Sequence, residues 1–234
     1  VLKSALVVER LALKEVSAVK TVRVWFSKTG TVKYISHLDL TRCMGRALKL
    51  SGLPIWYTEG FNPRIYMTFA MPLSLGVSGE RECFEIRLNE DVDYDLAVKK
   101  LDMYLPNDIK ILEICEPKMR FEDIAYGKYE MLLETERPQQ LLDAIENLLL
   151  EDSIIVTKRG KKGDKKIDIK PFFSDLEKKQ STNGVQINIV LPCTLEGSIN
   201  PNLFLEAINN YSDLRFYPKI TRKGLLTKDF SDIQ

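Results

Sequence analysis

The chain has 234 residues, 44% of them hydrophobic, and a net charge of +1, which is enough for buried cores in one large or two ordinary domains. No apolar run approaches the roughly 18 to 20 residues that a membrane-spanning helix needs, so we expect no membrane association and a cytoplasmic location. The four cysteines lie 40, 32 and 78 positions apart. No two of them have the close spacing that a metal or iron–sulfur site requires, so we expect the chain to bind neither a metal nor a cofactor.

The near-zero net charge conceals a strong polarity along the chain. Residues 20–64 carry eight basic and two acidic side chains, and residues 157–170 carry seven and two. Residues 80–156 carry nine basic and twenty acidic side chains. Two basic stretches separated by an acidic middle are typical of a protein that binds an anionic partner through part of its surface.

The first half of the chain shows the pattern strand, helix, strand, strand, helix, strand. We interpret residues 1–20 as an N-terminal extension that precedes this pattern. Its mixture of apolar and charged residues is consistent with an amphipathic helix. The predicted strands are Val22–Phe26, with an extended continuation at Val32–Ile35, then Leu53–Tyr57, Arg81–Leu88 and Ile109–Cys115, and the predicted helices are 36–50 and Tyr94–Tyr104. Ser36 and Asp39 form a capping-box variant at the start of the first helix.

The same order recurs in the second half. Here the predicted strands are Tyr129–Glu134, Ile154–Thr157, Lys166–Ile169, Gly184–Leu191 and Leu214–Ile220, and the predicted helices are Pro138–Leu150 and Asn202–Asn209. This order predicts an α+β fold with two tandem ferredoxin-like (split βαβ) domains and antiparallel sheets. Their expected limits are 21–116 and 127–234, joined by a linker at 117–126, and the second domain carries a basic hairpin.

Five ordered motifs carry a resemblance to a known family. They are Phe26-Ser27-Lys28-Thr29-Gly30, Ser36-His37-Leu38-Asp39-Leu40, Gly52-Leu53-Pro54, Gly60-Phe61-Asn62-Pro63 and residues 69–76, with a further block at 156–171. From about residue 21 to 227 the chain resembles the radical SAM-associated bacterial domain of unknown function. The resemblance implies that a cobalamin-dependent radical SAM enzyme, encoded separately, is a partner. The chain itself lacks the three closely spaced cysteines of a radical SAM cluster, so that chemistry would belong to the partner.

Two groups of side chains predict contact with RNA. An exposed aromatic ring can stack on a base, asparagine can contact a base edge, and cations contact phosphates. His37 at a helix N-terminus is a candidate phosphate contact, a general base or a residue that positions the helix. The candidate nucleic-acid-binding residues are Lys28, His37, Arg42, Arg46, Tyr57, Phe61, Asn62, Arg64, Lys158, Arg159, Lys161, Lys162, Lys165 and Lys166.

Three functions are consistent with these patterns. The leading hypothesis is a non-catalytic RNA-binding or substrate-presenting partner of a radical SAM enzyme that modifies tRNA or rRNA. The second is a metal-independent endoribonuclease with His37 as general base, although the chain lacks the glycine-rich C-terminal loop of the similar CRISPR RNA-processing enzymes. The third is a protein-interaction scaffold. The sequence has no Walker loop, dinucleotide fingerprint or His-Glu-x-x-His motif, which disfavours ATP hydrolysis, nicotinamide chemistry and zinc proteolysis.

Overall fold

The computed structural model describes residues 19–158, 163–173, 175–194 and 197–234. Over these ranges the fold is α+β, with ten strands and five α-helices. The strands are β1 (Lys20–Lys28), β2 (Met67–Phe69), β3 (Val77–Leu88), β4 (Ile109–Cys115), β5 (Ile124–Glu134), β6 (Ile155–Lys158), β7 (Lys165–Asp168), β8 (Glu177–Ser181), β9 (Gly184–Pro192) and β10 (Tyr217–Thr227). The helices are α1 (His37–Leu50), α2 (Tyr94–Asp102), α3 (Pro138–Leu150), α4 (Lys170–Phe173) and α5 (Asn202–Tyr211).

Eight strands form one sheet that runs through both halves of the chain. Its order is β4–β1–β3–β10–β5–β9–β8, and β2 pairs with β3 beside β10. All pairings are antiparallel except that of β10 with β3, which is parallel and joins the two halves. Within each half the strands lie in the order fourth, first, third, second. The tandem ferredoxin-like interpretation stays a prediction, but the halves share one continuous sheet. β6 and β7 form a separate hairpin.

Helix α1 begins where its capping signal predicts. The Ser36 hydroxyl accepts a hydrogen bond from the Asp39 amide, which satisfies one of the free N–H groups of the first turn. The helix buries four apolar side chains at helical spacing, Leu40, Met44, Ala47 and Leu48. Three of them, Leu40, Met44 and Leu48, join Val22, Val24 and Phe26 of β1 and Phe84 of β3 in the core of the first half. The opposite face of α1 therefore stays at the surface.

The second half has its own core, built by α3 and α5. Pro138 occupies the first turn of α3, where its missing N–H costs no hydrogen bond. Leu141, Ile145 and Leu148 of α3 and Phe204 and Ile208 of α5 pack on the buried side chains of β5 and β9. A third cluster lies on the other face of the sheet around Trp25, which alternates with the core residues Val24 and Phe26.

The residues predicted as a linker contribute to that third cluster. Phe121 and Ile124 are buried in it together with Ile233 from the C-terminal end. Residues 121–123 form a short 3-10 helix, and β5 begins at Ile124, five residues before the predicted strand. The polar composition of 117–126 is thus compatible with a packed connection between the halves.

Two local predictions for the first half differ from the structure. Residues 30–34, expected to be partly extended, form a 3-10 helix, because Gly30 adopts a positive φ of 51° that turns the chain. Leu53–Tyr57 makes only isolated bridges at Ile55 and Tyr57, and the strand beside β3 is instead β2 at Met67–Phe69. In the second half, β8 and α4 have no counterpart among the elements that the sequence predicts.

Candidate functional site

The residues 58–64, which we call the Phe61 loop, form a short closed loop before β2. The Thr58 amide donates to the Arg64 carbonyl at 2.8 Å, and the Arg64 amide donates to the Thr58 hydroxyl at 3.0 Å. Gly60 has a φ of 129°, which favours glycine, and allows the chain to turn at the tip. Phe61 is fully exposed to solvent. The loop is therefore fixed at its base and presents an aromatic ring.

The other candidate residues of this loop are also at the surface. Asn62 and Arg64 are exposed, and so is Tyr57, which pairs with Ile65 in an isolated bridge at the base. A ring, a carboxamide and a guanidinium thus share one short loop. The structure brings these four candidate residues together.

Helix α1 carries two further candidate residues on its exposed face. Arg42 and Arg46 are four positions apart, so they share a helix face, and both are exposed. The Met67 side chain of β2 lies 4.0 Å from the position of a Cβ atom on Gly45. Since the Phe69 ring of β2 contacts His37 at the first turn, β2 runs from the middle of α1 towards its N-terminus. The Phe61 loop precedes the end of β2 that packs near the middle of α1.

His37 is half-buried at the first position of α1. Its ring meets the Phe69 ring edge-on, with centroids 4.9 Å apart, and Phe69 packs in turn on Phe84. Burial lowers the pKa of His37, and the positive charge of Lys28 lowers it further. The imidazole is therefore neutral near pH 7, which suits a hydrogen bond to a ligand or a general base.

Lys28 does not lie on the surface. Its side chain is 1% exposed, and its ammonium group is 3.4 Å from the carbonyl oxygens of both Lys33 and Ile35. Burial lowers the pKa of Lys28, while the negative charge of Glu82 acts in the opposite direction. The predicted phosphate contact by Lys28 is thus corrected, because the cation is enclosed. It instead contacts the segment that leads into α1.

The described part of the basic hairpin lies in the second half. Lys165 and Lys166 of β7 are exposed, and the Lys158 ammonium donates to the Ser198 carbonyl at 3.0 Å. Arg159, Lys161 and Lys162 lie outside the described residues. The hairpin therefore contacts the loop 197–201.

Two further hydrogen bonds connect this loop to the segment before α1. The Asn200 carboxamide donates to the Ser74 hydroxyl at 3.0 Å. Two residues after Ser74, the Gly76 amide donates to the Lys33 carbonyl at 2.9 Å. The same Lys33 carbonyl accepts a hydrogen bond from the Lys28 ammonium. A continuous set of contacts therefore runs from the hairpin to the segment that leads into α1.

One buried pair at the junction of the halves was missed by sequence reasoning. Arg222 of β10 and Glu82 of β3 are both buried, and two guanidinium nitrogens contact the carboxylate, one of them at 2.9 Å. Burial lowers the pKa of Arg222, but attraction to Glu82 outweighs it and leaves the pKa raised. The residues are 140 positions apart in the sequence. The one signal that sequence offers is that each is a charged residue within a strand.

A small cavity adjoins this pair. It has a volume of about 70 Å³ and is lined by Arg222, Tyr129 and Cys193 together with the loops 71–74 and 198–201. Burial raises the pKa of Tyr129 to about 12, and burial also raises the pKa of the Cys193 thiol. Both groups are therefore protonated at neutral pH, and Cys193 is not a reactive thiolate.

We expect His37 to make folding stability depend on pH. Because its pKa is lowered in the folded state, the unfolded chain binds more protons below about pH 6.5, the ordinary histidine value. The free energy of unfolding should therefore fall as the pH falls from 7.5 to 5. Urea unfolding of the wild type and His37→Gln at several pH values measures the difference, which isolates His37 from the carboxylates. A difference that is constant with pH would contradict this prediction.

The described ranges contain no cluster of three or more His, Cys, Asp or Glu side chains that could hold a metal ion. None of the helices in these ranges is long and apolar enough to cross a membrane.

Comparison with known proteins gives one informative result. A family model described as "Uncharacterized protein conserved in bacteria (DUF2344)" matches residues 21–201. None of the curated proteins matches the chain. A crystal structure of an unknown protein from Galdieria sulphuraria is similar over 86% of this chain and 98% of its own, with 10% identity and a TM-score of 0.26. Such a low score carries no argument about fold or function.

Proposed function

The chain belongs to this family of uncharacterized bacterial proteins, and we propose that it is a non-catalytic RNA-binding module that presents its RNA to a partner enzyme. One observation carries the proposal: the Phe61 ring is fully exposed on a loop that hydrogen bonds fix at its base. An exposed ring of this size has no role in the core. The unfavourable exposure of its apolar surface to water is relieved when a base stacks on the ring.

The charges around the loop support a single-stranded nucleic acid as the ligand. Arg64 lies on the loop itself, and α1 carries two further exposed arginines, Arg42 and Arg46. Cations along a surface follow a phosphate backbone, while the ring and Asn62 contact bases. The binding should therefore weaken steeply with salt and should tolerate many sequences.

We further propose that each half is a ferredoxin-like unit, with the expected limits 21–116 and 127–234, the second extended back to Ile124 because β5 begins there. The recurrence of the strand order fourth, first, third, second in both halves supports this interpretation. The shared sheet would then hold the two units in a fixed orientation. A bound RNA chain would then follow the surface from the Phe61 loop past His37 towards the basic hairpin.

The proposed partner is a cobalamin-dependent radical SAM enzyme that modifies tRNA or rRNA in the cytoplasm. This part rests on the resemblance of the motifs around Phe26–Gly30, Ser36–Leu40 and Gly60–Pro63. Copurification of the two chains after nuclease treatment would distinguish direct contact from bridging by RNA. Loss of the association when nuclease is added would leave RNA as the link.

Removing the Phe61 ring should weaken RNA binding about tenfold, since stacking contributes roughly 1–3 kcal/mol per base. Fluorescence anisotropy with a labelled uridine-only 12-mer, at two salt concentrations, measures the affinity of the wild type and Phe61→Ala. Tyr217→Ala is the matched control, because Tyr217 is also an exposed ring but lies on β10. Equal affinity of the Phe61→Ala variant and the wild type would contradict the proposal, as would binding that salt does not change.

A metal-independent endoribonuclease is the second candidate function. The lowered pKa of His37 favours it, because a neutral imidazole can accept a proton from a ribose hydroxyl. Incubation with structured RNA in EDTA tests this alternative. Cleavage that is lost in His37→Ala but retained in Phe61→Ala would replace the binding role with a catalytic one.

A further inference from the structure

Phe230 adopts a backbone conformation that phenylalanine rarely takes. Its φ is 61°, the only positive value among the described residues other than glycine. It lies in the turn 227–232, which we call the Phe230 turn. Such a conformation costs free energy and persists only where its surroundings hold it.

The surroundings of Phe230 do hold it. The Phe230 amide donates to the Thr227 carbonyl at 3.1 Å, and the Thr227 amide donates to the Ser231 carbonyl at 2.9 Å. The Asp229 carboxylate accepts hydrogen bonds from the hydroxyls of Thr227 and Ser231. The turn is therefore fixed in a shape that a glycine would adopt without strain, yet a large ring occupies the position.

The Phe230 ring is covered on one side only. It stacks on Tyr126 of β5 with centroids 4.7 Å apart and an interplanar angle of 12°, while 60% of the residue remains exposed. Tyr126 and Lys128 alternate with the core residue Tyr129 along β5, so they lie on the sheet face opposite α3 and α5. The outer face of Phe230 is thus available to another planar group.

A depression of about 490 Å³ adjoins the stacked rings, a volume typical of a small-ligand site. Phe172, Ile189 and Pro192 contribute apolar walls. Its polar lining consists of Lys128, Asn188, Asp175 and Glu177. Within the ranges that the structure describes, no hydrogen bond or ion pair engages these four side chains. Apolar walls with a few unengaged polar groups suit a planar, polar-edged ligand.

We propose that this depression binds a guanine base. Guanine offers two neighbouring N–H donors, at N1 and N2, on one edge, and the Asp175 and Glu177 carboxylates are acceptors for such a pair. Its O6 atom accepts a hydrogen bond, which Lys128 or Asn188 can donate. The proposal rests on the proposed function, because the guanine would belong to the same bound RNA, which would pass around the edge of the sheet from the side of α1 to the opposite face. The guanine would give that RNA one position of base preference.

The same groups disfavour adenine. The corresponding edge of adenine presents one donor and one acceptor, so it would leave a carboxylate facing a ring nitrogen lone pair. A carboxylate that faces this lone pair is repelled by it and loses the hydrogen bond that guanine would donate, so adenine should bind more weakly. Hypoxanthine, which keeps the N1 donor and lacks the 2-amino group, should bind with intermediate affinity.

Titration with free nucleotides tests the site without relying on RNA binding. By isothermal calorimetry, GMP should bind at least tenfold more tightly than AMP, and IMP should lie between them. Phe230→Gly should lower the affinity for GMP at least tenfold without lowering Tm, since glycine accepts the positive φ. Glu177→Gln should reduce the preference for GMP over AMP. Equal affinity for GMP and AMP, or full GMP affinity in Phe230→Gly, would overturn the proposal.

RNA oligomers separate failure of this site from failure of the RNA-binding function. The uridine-only 12-mer reports on the Phe61 loop, and the same oligomer with one central guanine reports on both. If Phe230→Gly weakens binding of the guanine-containing oligomer alone, the base belongs to this site. If both oligomers bind equally well to the wild type and Phe230→Gly, the RNA-binding function stands and the guanine site is refuted.

Discussion

Replacing Glu82 by glutamine is expected to lower the free energy of unfolding by about 3–5 kcal/mol, because it leaves the buried Arg222 guanidinium without its counter-charge. Both side chains are almost fully buried, and Arg222 also donates to the Met71 carbonyl at 2.6 Å. The cation cannot reach water while β10 and β3 remain paired. Urea unfolding followed by circular dichroism measures the loss.

The neighbouring ion pair supplies a matched control. Lys223 and Glu80 join the same two strands, but both are partly exposed, so Glu80→Gln should cost less than about 1 kcal/mol. The double variant Glu82→Met/Arg222→Met should be more stable than Glu82→Gln, since it removes both buried charges together. A loss below 1 kcal/mol in Glu82→Gln would show that the pair does not stabilise the junction.

Replacing Gly184 by alanine is expected to lower the free energy of unfolding by about 3 kcal/mol. A Cβ atom on Gly184 would overlap the carbonyl oxygen of Leu133, at the end of the backbone pairing between β5 and β9, where Gly184 pairs with Glu134. Backbone atoms of paired strands cannot move aside without breaking hydrogen bonds, so the overlap becomes strain. Thermal and urea unfolding measure the effect.

Gly45→Ala is the comparison for this variant. Gly45 lies within α1 at an ordinary distance from its nearest neighbour, and alanine favours the helix by up to about 1 kcal/mol. The two substitutions should therefore have opposite signs. Equal stability of Gly184→Ala and the wild type would indicate that β9 can shift along β5.

The elements that sequence predicted best carry their signals within themselves. The structure confirms α3 at Pro138–Leu150 and β4 at Ile109–Cys115 with the predicted limits. Ser36 and Asp39 marked the start of α1, and Pro138 marked that of α3. These signals act over three or four residues, so no tertiary information was needed.

The features that sequence missed depend on distant residues. The short strand β2 exists because Met67–Phe69 pairs with residues 84–86 of β3, although Leu53–Tyr57 has the stronger strand composition. Glu82 and Arg222 become a pair only when β10 inserts beside β3. The turn at Phe230 is held by hydrogen bonds among its own residues, but the stacking of the Phe230 ring on Tyr126 joins residues that are far apart in the sequence.

For the candidate site, the sequence predicted which loop is exposed better than it predicted which charged side chains are buried. Phe61, Asn62 and Arg64 are exposed on one loop, as an aromatic and cationic surface requires. Lys28 was chosen for its charge and is buried, since alternation along β1 and a bulge near its end turn it inward. Burial of a single lysine in a strand cannot be inferred from charge counts.

The position of β10 has a consequence for how the chain folds during synthesis. This strand is among the last parts of the described chain to leave the ribosome, yet it lies in the middle of the sheet between β3 and β5. Until it arrives, the nascent chain exposes two unpaired strand edges to other polypeptides. Mutations that delay its insertion should therefore reduce the yield of native protein more than they reduce its final stability.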